Sequence, residues 1–136
     1  MLVQTGGLVD LTKISIGVHG PEVASSAISV LLGVEPTSQH RAGEPRKVGP
    51  PWPSGAWLFT VEGTPPRGPE EVAEELLAAV PPPDAPVWSK LRSKHRLHLK
   101  LAVFPLGWNR GFPLSTDVLQ RLASIAGEVD FDIYNS

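Results

Sequence analysis

Four stretches of this chain alternate apolar and polar residues at period two, the pattern of half-buried β-strands: residues 13–18, 55–62, 96–104 and 129–134. In the third, Leu97, Leu99, Leu101 and Val103 fall on one side and Arg96, His98, Lys100 and Ala102 on the other. One face of the resulting sheet is therefore expected to be buried and the other wet. The fourth, VDFDIY, places Asp130, Asp132 and Tyr134 on one side, the two carboxylates about 6–7 Å apart.

Three stretches run at helical period. The first carries Ala24, Ala27, Ile28, Leu31 and Leu32 as its apolar stripe, with Pro21 as the first helical residue and Gly33 just past the end. The second opens on Gly68-Pro69-Glu70-Glu71, buries Val72, Ala73, Leu76, Leu77 and Val80, and stops at Pro81. The last starts from Ser115 as N-cap, buries Val118, Leu119, Leu122 and Ile125 or Ala126, and ends at Gly127. A shorter helical turn is expected over 87–93, with Val87, Trp88 and Leu91 inward.

Strand, helix, strand, helix, strand, helix, strand contains two β-α-β units joined through the middle helix. The expected fold is an α+β two-layer sandwich, a four-stranded mixed or antiparallel sheet with helices on one face, ferredoxin-like in arrangement. A four-stranded mixed sheet in another order is the alternative. A single domain spans 1–136, with an N-terminal segment over 1–12 read as flexible and a long Pro/Gly-rich loop over 34–56.

Composition narrows the function classes. A chain of 136 residues, 41% hydrophobic and 19% charged, is long enough to bury one core without staples, and no apolar run approaches a membrane span. With no cysteine there is no disulfide, thiolate metal site or cysteine nucleophile, and no signal peptide is legible, so a cytoplasmic location is expected. A net charge of −2 gives none of the basic field that nucleic acid requires.

Candidate chemistry is sparse. His19, His40, His95 and His98 form no HExxH or other metal spacing, and His19, before Gly20-Pro21, reads as a turn residue. No nucleophile elbow, P-loop or dinucleotide fingerprint is present, so no catalytic, cofactor or metal residue is assigned. Asp130 and Asp132 would find Lys13, His98 and Lys100 on the same polar face if their strands are adjacent. Two loops carry arginine with tryptophan, the types enriched at interface centres: Arg41, Arg46 and Trp52 in one, Trp108 and Arg110 in the other.

LLGVEPTSQHRAGEP, a tryptophan-bearing strand at Trp57, the acidic helix PEEVAEELLAAV and the close LSTDVLQRLASIAGEVDFDIY together resemble a bacterial family catalogued as domain of unknown function 4279, from about Lys13 to the end. The resemblance implies an α+β shape and no catalytic residues. The expectation is a non-enzymatic protein-binding module, in analogy with immunity proteins, whose partner is a toxin or a second copy of itself. Its surface would be drawn from Asp130, Asp132, Tyr134, His98, Lys100, Arg41, Trp52, Trp108 and Arg110. The alternative is a regulator or enzyme holding an anionic ligand with Arg41, Arg46 or Arg110 against Trp52 or Trp108.

Overall fold

The computed structural model describes residues 10–104 and 112–134. In chain order the elements are β1 (Leu11–Gly20), α1 (Ser25–Leu32), β2 (Ser38–His40), β3 (Gly55–Gly63), α2 (Pro69–Ala79), α3 (Pro86–Lys94), β4 (Arg96–Phe104), α4 (Thr116–Ile125) and β5 (Val129–Ile133). The strands form one mixed sheet in the order β2-β3-β1-β4-β5, in which only β4 and β5 are parallel.

Alternation decides which side is buried. Ile14, Ile16 and Val18 of β1 stand beside Trp57 of β3 and Leu97, Leu99 and Leu101 of β4, and all are buried beneath the helices. The helices contribute Ile28 and Leu32, Val72 and Leu76, Trp88 and Leu91, and Val118, Leu122 and Ile125 to that same core. Both buried indoles keep a partner, as a desolvated N–H must. Trp57 Nε1 donates to Ser29 Oγ at 3.0 Å and Trp88 Nε1 to the Pro82 carbonyl at 2.9 Å.

Five strands are present among the described residues where four were expected, and the extra one changes the topology. β2 lies inside the 34–56 segment read as a loop. It is short, polar and without alternation, and is held by backbone pairing to β3 and by Thr60 N–H donating to Thr37 Oγ1 at 2.8 Å. After α1 has run back along the sheet, β2 runs forward again, so β3 starts beside Gly20 and descends antiparallel to β1. The first expected β-α-β unit is thereby replaced, whereas β4-α4-β5 is parallel as expected. The strand order is consequently not the ferredoxin-like one: β4 and β5 are immediate parallel neighbours with no strand between them.

The helix boundaries show which local signals held. Ser115 caps α4 by accepting from Val118 N–H at 3.2 Å, and Gly33 closes α1 in the left-handed conformation at φ 74°. Pro21 does not start α1, which begins four residues later, with Pro21 in a turn. Leu119, expected in the core, is 41% exposed. Leu11 and Thr12, read as part of a flexible segment, are paired in β1.

Candidate binding face

The side of the sheet away from the helices is built from the residues that alternate with the core set. The register aligns them in rows across the strands. His40, Ala56, His19 and Arg96 form one row, Ser38, Leu58, Gly17 and His98 the next, then Thr60, Ser15, Lys100 and Asp130, then Glu62, Lys13, Ala102 and Asp132.

Asp130 and Asp132 thus share one face, and each stands near a basic side chain of β4, Asp132 near Lys100 and Asp130 near His98. Lys100 Nζ lies 2.7 Å from Asp132 Oδ2, and the Tyr134 hydroxyl reaches the same oxygen at 3.1 Å. The hydrogen bond from Lys100 holds the Asp132 carboxyl below its usual range, and its counterpart raises the Lys100 ammonium. His98 Nδ1 stands 3.7 Å from Asp130 Oδ2, too far for a hydrogen bond, and has no other partner among the described residues. Lys13, the third cation expected near the aspartates, pairs instead with Glu62 of β3 at 3.7 Å. Arg96 and Glu128 close the neighbouring end at 2.8 Å, which raises the guanidinium and lowers the carboxyl.

At the centre, His19 Nε2 and His98 Nε2 are 2.7 Å apart, with ring planes inclined by 17°. Nearly parallel rings whose nitrogens approach this closely share one proton: one ring donates and the other accepts. Both rings are lowered in pKa, first by burial; His98 then presses on His19, and Arg96 on His98. Gly17 makes the room. A Cβ there would lie 2.6 Å from His98 Nε2 and 2.9 Å from His19 Nε2.

Over β3, β1 and β4 the face opens into a depression of about 390 Å³ lined by Lys13, Ser15, Thr60, Glu62, Lys100, Phe104 and Tyr134, among others. Ser15 and Thr60 hydroxyls bond at 2.7 Å on its floor, and the Phe104 and Tyr134 rings stack at 4.7 Å to form one wall.

The expected residues therefore divide. His98, Lys100, Asp130, Asp132 and Tyr134 are brought together. Arg41 and Trp52 belong to the connection between β2 and β3, and Trp52 is not presented as a free anchor. Its ring stacks on His40 at 3.7 Å and carries Arg46 over it at 4.6 Å, while Arg46 Nε also donates to the Pro50 carbonyl at 2.6 Å. Trp108 and Arg110 lie outside the described residues. His19, read as a turn residue, sits within β1 and completes the histidine pair. The signal for it was a glycine inside an alternating strand, which marks a close approach to the backbone.

No group of three histidine, aspartate or glutamate side chains able to hold a metal occurs among the described residues. No helix there is long and apolar enough to cross a membrane.

A family described as a domain of unknown function (DUF4279) matches residues 10–136. The chain belongs to the DUF4279 family. Neither a curated protein nor a solved structure matches it. Family membership carries no activity with it, so a functional reading of this DUF4279 chain rests on its own geometry.

Proposed function

We propose that this DUF4279 chain is a non-enzymatic protein-binding module that presents the helix-free face of its sheet to a partner. The observation that carries the reading is that His98, Lys100, Asp130, Asp132 and Tyr134 lie together on a face that none of the described helices covers, with Lys100, Asp132 and Tyr134 positioned by one another and His98 by His19. Such preorganisation reduces the ordering cost of association, and charge pairs at a contact govern encounter and partner choice. The depression is open, with hydroxyls, two ammoniums and the Glu62 carboxylate set beside an aromatic wall of Phe104 and Tyr134, which suits a side chain of a bound protein better than an engulfed small molecule. An immunity-type role, in which this face covers the working surface of a toxin, is the specific form of the proposal.

The test is capture of a partner from source cells by the tagged chain, followed by titration of that partner against the Asp130→Lys, Asp132→Lys double variant. Affinity should fall at least about tenfold with the melting temperature nearly unchanged. Unchanged affinity would remove this face from the reading.

One observation favours a second reading, a regulator that binds a small anion: two ammoniums, Lys13 and Lys100, line the same depression, where an anion would compete with Glu62 and Asp132 for them. An anionic metabolite would then raise the melting temperature by binding the native state, and Lys100→Met would abolish the rise. A flat response across anionic metabolites would exclude it.

A further inference from the structure

Helix α1 is apolar around more of its circumference than the domain covers. Ile28, Ser29 and Leu32 are buried, but Ala24, Ala27 and Leu31, expected in the same core stripe, are exposed. These three recur at i, i+3 and i+7, so they form a second stripe down the helix, and Val30 beside it is 82% exposed. α3 lies alongside. Between the two helices runs a groove of about 300 Å³ floored by Ala24, Ala27, Ile28, Leu31 and Leu91, with Glu22, Lys90, Lys94 and His95 around it. An uncovered apolar strip with a charged rim marks a contact surface.

The rim charges indicate what covers it. Glu22 lies at the N-terminal end of α1. Lys94 and His95 stand at that same end, since a Cβ on Gly20 would meet His95 Nδ1 at 3.1 Å. Lys90 is one turn of α3, about 6 Å, farther along toward Leu31. Most cations on the sheet are matched, Lys13 with Glu62, Lys100 with Asp132 and Arg96 with Glu128, whereas Glu22, Lys90 and Lys94 have no ion pair among the described residues.

We propose that the groove is an isologous interface with a second copy of the chain, α1 lying antiparallel on α1 of that copy. A two-fold axis near Ala27 sets Leu31 against Ala24 of the partner subunit and brings Glu22 of the partner subunit to the Leu31 end, where Lys90 stands. The same patch is then self-complementary in shape, large against small, as a two-fold contact requires, and Glu22 of each copy meets Lys90 of the other at an end that also holds Lys94 and His95. An eight-residue helix supplies a small interface, so association is reversible and concentration-dependent. This contact is on the helical side and is independent of the sheet face assigned to a partner above.

Sedimentation of the full chain from about 10 μM to about 1 mM tests it. The weight-average mass should rise toward that of a dimer, and Leu31→Asp should weaken association at least about tenfold while far-UV circular dichroism stays unchanged. Glu22→Lys or Lys90→Glu alone should weaken it, and the two together should restore it. The Asp130→Lys, Asp132→Lys variant should associate like the unmodified chain. A monomer across the whole range overturns the proposal. So does a dimer indifferent to Leu31→Asp, which would pair through another surface, or a charge swap that fails to restore association.

Discussion

His19 and His98, 79 residues apart in sequence, meet nitrogen to nitrogen at 2.7 Å across the β1–β4 pair, above the one position on that strand face without a side chain. Two imidazoles in this arrangement tolerate one shared proton. Charging both would set two cations in contact beside the Arg96 guanidinium.

The pair should make stability depend on pH. Both histidines have folded pKa values below the ordinary 6.5, because burial and neighbouring charge disfavour the imidazolium. As pH falls from about 7 to 5 the unfolded chain takes up protons that the folded chain resists, so their contribution, complete above the unfolded value, is lost toward acid. Asp130 and Glu128 oppose the effect at His98, while Lys100 and Arg96 add to it. Urea denaturation across that range should show stability falling, and a His19→Asn, His98→Gln variant should show a shallower slope. An equal slope in the variant would show that the pair contributes nothing to it.

Gly17→Ala should cost about 1–3 kcal/mol, since the new methyl overlaps both ring nitrogens. Because an alanine is otherwise preferred over glycine in a strand by about 0.5–1 kcal/mol, the sign should reverse once the rings are gone. Chemical denaturation of Gly17→Ala alone and in a His19→Ala, His98→Ala background measures the difference. A penalty that persists without the rings would locate the strain in the backbone instead.

Ser29→Ala should destabilise by about 1–3 kcal/mol although only one oxygen is removed, because the buried Trp57 indole N–H is left without an acceptor. With Trp57→Phe already in place, the same change should cost much less. A double-mutant cycle with a coupling energy near zero would show that the hydroxyl serves some other purpose.

The parts of this protein that were legible in sequence are those governed by a few neighbouring residues. Alternation placed Asp130, Asp132 and Tyr134 on one face and His98 and Lys100 on another strand's polar face. The Ser115 hydroxyl, the Gly33 left-handed turn and the stripe of α2 are equally local, because a cap or a helical face is set within one or two turns.

What required the tertiary structure is each relationship between distant segments. β2 has three polar residues and pairs through its backbone, which leaves no trace in side-chain pattern, and missing it inverts the sense of β3. The parallel β4–β5 register, not the spacing of the aspartates, gave Lys100 to Asp132 and set His98 near Asp130. The same holds for α1: its composition made it apolar over two faces, but only packing against the sheet chose Ile28 and Leu32 for the core and left Ala27 and Leu31 outside. A side chain's direction on its own element is a local consequence of backbone geometry, whereas its partner is decided by which elements the whole chain brings alongside.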